Sequence, residues 1–161
     1  MPMSVAFTRE EDHEAQAANL PDRPISPHPN LVTPEGLAQL EAALAEARAA
    51  YAQAQADGGI SADRTAMARA TRDLRYYATR RASAQLMDKP ERPQTAAFGC
   101  ALTIERDDGR RQTFRIVGED EADPASGSIS YVAPLARALL GKAVGDVVEA
   151  AGAEIELIAI A

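Results

Sequence analysis

Two stretches of the chain place mostly apolar side chains at alternating intervals of three and four residues. The first runs through Leu37, Leu40, Leu44, Ala47, Tyr51 and Ala54. The second runs through Met67, Ala70, Leu74, Tyr77, Arg81 and Ala84. Steps of three and four return to one face of an α-helix and form the seam of a coiled coil. The pattern therefore predicts two helices, each with one face that packs against a partner.

Turn-forming residues mark the ends of these two helices. Thr33 is a predicted N-cap of the first, and Asp57-Gly58-Gly59 predicts its end. Ser61 or Asp63 is a candidate cap for the second helix, which we expect to end at Met87-Asp88-Lys89-Pro90. Because the turn between them is short, both seams are buried only if the helices are antiparallel. We therefore predict a helical hairpin over residues 31–89.

Arginine dominates the second predicted helix. Its arginines are Arg64, Arg69, Arg72, Arg75, Arg80 and Arg81. Most of these positions fall between the seam positions, so we expect them to form a basic face that is exposed to solvent.

Downstream of residue 95 the spacing of apolar residues changes to every second residue. Phe98, Cys100, Leu102 and Ile104 alternate with smaller or polar residues, which predicts a strand from Thr95 to Arg106. Further elements follow: a turn at 107–110, strands at 112–117, 129–130, 147–148 and 155–160, and a helix at 134–140. This order predicts a small, mostly antiparallel β domain with one short helix at 96–161, after a linker at 90–95. The predicted fold class is α+β.

Residues 1–30 contain five prolines and lack either period, so we expect an extended, largely disordered arm. Two alternatives remain open for it: a solvated tail, or an arm that docks on a folded part through residues 20–25. We also consider that it lies along the hairpin. His13 and His28 have no nearby ligand partners at metal-site spacing, so we expect no metal site there.

Charge and composition exclude several classes of function. The net charge of −7 disfavours a protein that binds nucleic acid alone and suits a basic protein partner. The single cysteine, Cys100, is expected to be a buried thiol in a reducing cytoplasm. The sequence shows no long apolar run, phosphate-binding glycine loop or catalytic triad pattern. We therefore expect no membrane association, enzymatic activity, catalytic residue or cofactor.

The C-terminal half carries a family resemblance. The runs 114–123, 129–130 and 134–142 closely resemble the C-terminal domain of the Gre family (GreA/GreB type) of bacterial transcription elongation factors. Thr33-Pro34-Glu35-Gly36-Leu37 resembles the opening motif of the same family. The resemblance implies an FKBP-like sheet without isomerase activity, and a monomer that binds RNA polymerase at the rim of its secondary channel. Contact with the nucleic acid of the elongation complex would then be indirect.

The resemblance also points to a polymerase-binding surface. In the family this domain grips the channel rim around a Ser-Pro step before the short helix, where this chain has Val132-Ala133-Pro134-Leu135. The acidic residues Glu119 and Asp120 are further candidates, because a carboxylate cluster on a turn suits a basic partner surface.

At the hairpin tip the sequence departs from the family. Two tip carboxylates of Gre factors help hold a catalytic magnesium that belongs to the polymerase, and here Gly59 and Ala62 stand at those positions. The tip residues that we single out are Asp57, Gly58, Gly59, Ser61 and Asp63. The first arm, about 36 Å long at 1.5 Å per residue, is also short. The resemblance then implies an elongation regulator that does not stimulate transcript cleavage.

Two alternatives remain. One is an active transcript-cleavage factor in which Asp57 or Asp63 replaces the family carboxylates. The other is a regulator of nucleotide metabolism, like the Rnk-type proteins, which keep the C-terminal domain with a shorter hairpin.

Overall fold

The computed structural model describes residues 20–58 and 64–161, which form two compact units. Of the described residues, the first unit contains 20–26, 40–58 and 64–83. The second contains Pro27–Gln39 and Ala84–Ala161. Three of the predicted tip residues, Gly59, Ser61 and Asp63, lie outside the described residues, as does the arm before Leu20.

Two long helices dominate the first unit. Helix α1 spans Pro34–Ala56 and helix α2 spans Arg64–Ser83. The predicted seam of α1 is confirmed, because Leu40, Leu44 and Ala47 are buried while most of their neighbours are exposed. A salt bridge of 2.9 Å joins Arg81 to Glu41 near the end of α2, and Ala54 and Met67 line a common cavity at the other end. These contacts pair late residues of one helix with early residues of the other, so the helices are antiparallel.

Arg80 corrects the predicted basic face. Only 2% of this residue is exposed, which makes it one of the two buried residues of α2. Position 80 lies three residues after Tyr77, so the helix returns it to the buried side rather than to solvent. The aliphatic stem of arginine can cover apolar surface in such a position. Arg64, Arg69 and Arg75 are exposed as predicted.

The end of α2 is also corrected. The helix stops at Ser83, before the predicted end at Met87, and strand β2 follows at Gln85–Leu86. This strand pairs in parallel with β1, Leu31–Val32, through hydrogen bonds such as the 2.8 Å bond from the Gln85 N–H to the Asn30 carbonyl. The local sequence continues the helical spacing, but the strand partner lies more than 50 residues away and overrides it.

The second unit is built on a five-stranded sheet. Its strands are β3 (Ala101–Arg106), β4 (Arg111–Val117), β5 (Ser128–Ser130), β6 (Val147–Ala150) and β7 (Ala153–Ile160). The order is β5-β4-β3-β7-β6, and every neighbouring pair is antiparallel except β4 with β5. Helix α3, Pro134–Leu139, is the short helix. The α+β class and the mostly antiparallel sheet are therefore confirmed.

The core of this unit lies where α3 packs on one face of the sheet. Its fully buried members alternate along the strands, as predicted for β3 and β4: Leu102 and Ile104 on β3, Phe114 and Ile116 on β4, Ile155 and Leu157 on β7, with Ala136 and Leu139 from α3. Cys100 is completely buried in the same cluster, which confirms the expected buried thiol.

The predicted strand from Thr95 is shorter than expected. The alternation of burial continues through Phe98, but the backbone is extended only from Ala101. Gly99 has a φ of +86°, and the Cys100 N–H donates to the Ala97 carbonyl, so residues 97–100 form a turn. A left-handed residue breaks a strand even where side chains continue to alternate between core and surface.

Residues 20–23 lie along α2. The Arg23 guanidinium is 3.8 Å from the centroid of the Tyr76 ring and 3.5 Å from the Asp73 carboxylate. Asp22 is 3.2 Å from the Arg75 guanidinium. These contacts hold the described part of the arm against the hairpin by a cation–π interaction and two ion pairs.

Candidate functional site

One edge of the sheet brings together the two segments that the sequence singled out. Strands β4 and β5 are parallel neighbours, with Val117 opposite Ser130, so the two strands end on the same side of the sheet. The Tyr131 N–H donates to the Val117 carbonyl over 2.9 Å. Glu119 and Asp120 follow β4 there, and Val132 to Leu135 follow β5. We call this the β4–β5 edge.

The side chains at this edge differ in exposure. Asp120 and Pro134 are exposed, whereas Glu119, Val132, Ala133 and Leu135 are half-buried. The edge therefore presents a carboxylate beside a partly apolar step, a combination that suits a partner surface with basic and apolar groups.

Two of the four carboxylates in the acidic turn have local structural roles. Glu121 accepts a 2.6 Å hydrogen bond from the Thr33 hydroxyl. The same hydroxyl oxygen accepts the Gly36 N–H over 3.0 Å and so caps the start of α1, which confirms the predicted N-cap. Asp123 accepts a 2.6 Å hydrogen bond from the Ser126 hydroxyl. Of the two acidic residues that the sequence singled out, Asp120 is exposed and Glu119 is half-buried, so Asp120 is the more accessible to a partner.

Gly118 allows strand β1 to approach the edge closely. A Cβ atom built on Gly118 would lie 2.2 Å from the Leu31 carbonyl oxygen and 3.7 Å from the Val32 Cα. Gly118 thus serves close packing of two backbones, and no side chain fits between them.

Helix α3 begins at this edge without a side-chain cap. Ala133 occupies the N-cap position with an extended backbone (φ −61°, ψ 146°), and no side chain accepts a hydrogen bond there. Pro134 at the first helical position is favourable, because its missing N–H would have no helical partner.

Replacing Ala133 by serine should therefore stabilise the protein by about 0.5–1 kcal/mol. The extended backbone at position 133 lets a hydroxyl oxygen accept an N–H of the first helical turn. The thermal midpoint should rise by about 2–3 °C for a chain of this size. The matched control is Ala133→Val, which adds bulk without an acceptor. An equal rise for both variants would contradict the capping explanation.

Besides its bond through Thr33 to Glu121, the start of α1 has an electrostatic contact with β4, within the second unit. Arg115 on β4 donates to the Gly99 carbonyl over 3.1 Å and lies 3.4 Å from the Glu35 carboxylate. A hydrogen bond from the backbone N–H of Glu35 to its own carboxylate, together with the Arg115 charge, lowers the pKa of Glu35. The side chain is exposed, so solvent weakens this pair.

A lowered pKa gives Glu35 a pH-dependent contribution to stability. The contribution is complete above the ordinary carboxyl value of 4.5 and is lost as the pH falls through the lowered folded-state pKa. We expect Glu35→Gln to have a lower thermal midpoint than the wild type at pH 7, with the difference disappearing in acid. Melting curves at pH 7, 4 and 2.5 would check this, and a difference that is constant with pH would contradict it.

The described part of the hairpin tip restrains Asp57. Helix α1 ends at Ala56, and both Asp57 carboxylate oxygens lie 3.1 Å from the Gln53 Nε2, which donates to them. The Gly58 N–H donates to the Gln55 carbonyl and closes the turn. Asp57 is exposed but folded back on the preceding helical turn.

Within the described ranges, no group of three or more His, Cys, Asp or Glu side chains could hold a metal ion. No described helix is both long and apolar enough to cross a membrane.

Sequence reasoning missed several contacts that shape this region. The hydroxyl of Thr33 was identified, but its partner Glu121 lies 88 residues away. Tyr131 donates a hydrogen bond to the Pro29 carbonyl across 102 residues. Arg115 carried no signal in the sequence at all, because an arginine on a strand is ordinarily a solvated residue.

The chain is similar in sequence to known transcription elongation factors. Residues 90–159 match the family described as "Transcription elongation factor, GreA/GreB, C-term". Transcription elongation factor GreA of Desulfovibrio desulfuricans is 34% identical over 131 residues, which cover 76% of this chain and 81% of that protein. Transcription elongation factor GreB of Pseudomonas aeruginosa is 35% identical over 127 residues, which cover 70% of this chain and 76% of that protein.

A solved structure, GreA factor homolog 1 (Gfh1) of Thermus thermophilus, is 19% identical with a TM-score of 0.38, over 83% of this chain and 99% of that one. The two GreA and GreB relatives, each matched over more than two thirds of its length, show that the chain belongs to the GreA/GreB family of transcription elongation factors.

Proposed function

We propose that this protein binds RNA polymerase at the rim of the secondary channel and regulates elongation without stimulating transcript cleavage. It does so as a monomer, with the β4–β5 edge on the rim and the hairpin in the channel. It needs no cofactor, and any magnesium at the reaction centre belongs to the polymerase. The observation that supports binding most directly is the juxtaposition of Asp120 with the Val132–Leu135 step at one edge of the family domain.

The hairpin tip supports the second half of the proposal. Gly59 and Ala62, at the positions of the family's tip carboxylates, have no side-chain oxygen with which to hold magnesium. Asp57, the nearest described carboxylate, is bound by Gln53 and folded towards α1. Helix α1 has 23 residues and is about 34 Å long at 1.5 Å per residue, which limits how far the tip extends.

The proposal predicts binding without cleavage. In defined backtracked complexes of the cognate polymerase, we expect the wild-type protein to bind while transcript cleavage stays at the intrinsic rate of the polymerase. The double variant Asp57→Asn/Asp63→Asn should behave in the same way, because these carboxylates take no part. Cleavage stimulated by the wild type and lost in the double variant would instead assign the role to Asp57 or Asp63.

Binding itself is tested at the β4–β5 edge. Asp120→Lys reverses an exposed charge there and should weaken polymerase binding by about tenfold at low salt, with a smaller effect at high salt. The matched control is Glu149→Lys, the same reversal on β6 at the opposite edge of the sheet. Equal affinities of the two variants would exclude the β4–β5 edge, and an absence of wild-type binding would overturn the proposal as a whole.

A further inference from the structure

A half-open cavity of about 400 Å³ lies in the first unit, near the turn of the hairpin. Its apolar lining comes from Leu20 before the hairpin, Ala54 of α1 and Met67 of α2. Three arginines of α2, Arg64, Arg72 and Arg75, also line it. An apolar floor with guanidinium groups around it suits an occupant that carries both aliphatic carbon and negative charge.

The described carboxylates do not balance these arginines. Arg75 pairs with Asp22 at 3.2 Å, while the Arg72 Nε is buried, 3.6 Å from the Asp73 carboxylate and without a hydrogen bond from it. No carboxylate in the described part of the chain forms an ion pair with the exposed Arg64. Helix α2 as a whole has six arginines and one aspartate. Positive charge therefore remains in excess on the side of the cavity.

The path of the chain leads to this cavity. Arg23 contacts Asp73 and Tyr76, and Leu20 lies within the cavity. Followed backwards from Arg23 to Leu20, the chain therefore runs along α2 towards Arg64. The distance from Arg75 to Arg64 along the helix is about 16 Å, and six extended residues before Leu20 span up to about 20 Å.

The most acidic run of the arm ends six residues before Leu20. Glu10, Glu11, Asp12 and Glu14 place four carboxylates within five residues. We propose that residues 10–14 dock in the arginine-lined cavity of the same chain and neutralise this part of α2. Individually weak ion pairs suffice, because the short tether at Leu20 keeps the segment at a millimolar effective concentration. The docked arm would shield the arginines from other polyanions at low ionic strength.

Paramagnetic relaxation enhancement on the full chain tests the docking. A nitroxide on Thr8→Cys should broaden the amide signals of residues 64–72, and Cys100 does not react because it is completely buried. Broadening should decrease in 1 M salt, where the Debye length falls to about 3 Å. Arg64→Glu should abolish it. Arg69→Glu makes the same charge change on an exposed residue about 140° around the helix and should leave it intact.

The outcomes separate the possible occupants. Absence of broadening, or equal loss in both arginine variants, would overturn the proposal. Binding of inorganic triphosphate, followed through the shifts of the same backbone amide signals, supplies a second readout. Its affinity should rise about tenfold when Glu10, Glu11 and Glu14 are replaced by glutamine and Asp12 by asparagine. Equal affinity in the two proteins would show that the cavity is an anion site that the arm does not occupy, and would also overturn the proposal.

Discussion

Replacing Gly118 by alanine is expected to destabilise the protein by about 3 kcal/mol. The new Cβ would lie 2.2 Å from the Leu31 carbonyl oxygen, and that oxygen belongs to a backbone that cannot rotate away. Leu31 is held in β1 by its pairing with Gln85, so the clash displaces a strand rather than a side chain. The thermal midpoint should fall by roughly 10 °C in a chain of this size, as measured by calorimetry or circular dichroism.

Gly36→Ala is the matched control for this prediction. Its Cβ would meet the Glu121 Oε2 at 2.5 Å, so this flexible side chain must move and give up its hydrogen bond from Thr33, while no backbone is displaced. Alanine within α1 additionally gains about 1 kcal/mol over glycine in helix propensity. We expect the stability of Gly36→Ala to stay within about 1 kcal/mol of the wild type. If the two variants lose equal stability, close packing of Leu31 on Gly118 is not the cause.

Replacing Thr33 by valine is expected to cost about 2–3 kcal/mol. The residue is completely buried, and valine keeps its shape while removing the hydroxyl. Both the Gly36 N–H and the Glu121 carboxylate then lose their partner. Denaturant unfolding should show a lower midpoint with an unchanged m-value, because the variant changes stability rather than the surface exposed on unfolding.

A double-mutant cycle separates the two bonds of Thr33. Glu121→Gln keeps an oxygen that accepts from the hydroxyl and should lose less stability than Thr33→Val. Thr33→Val/Glu121→Ala should lose less than the sum of its single variants, because each single change already removes the shared bond. Additive losses would show that the bond between Thr33 and Glu121 contributes nothing measurable.

Periodicity located most of the secondary structure correctly. The three-and-four spacing through Leu40, Leu44 and Ala47 predicted the buried face of α1, and the alternation through Leu102 and Ile104 predicted the buried face of β3. These predictions succeed because a helix or a strand turns its residues inward at a fixed period. Where they failed, at Arg80, Gly99 and Gln85, the deciding factor was a burial, turn or strand pairing that the local pattern does not contain.

The candidate site was predictable as two separate segments but not as one surface. The sequence singled out Glu119 and Asp120 on one side and Val132–Leu135 on the other. The parallel pairing of β4 with β5 places them at one edge, and that pairing joins strands 13 residues apart, Arg115 with Ser128. The same structure separates the acidic residues by role, because Glu121 caps a helix through Thr33 while Asp120 faces solvent.

The amino-acid sequence by itself determined the helical hairpin, the α+β class and the buried cysteine. Each of these depends on residue type or on spacing within a single element. Only the tertiary structure decided that Leu31 packs on Gly118, that Glu121 binds Thr33 and that arginines of α2 surround a cavity. The physical reason is that these contacts join residues distant in the chain, and local spacing carries no information about which distant groups will meet.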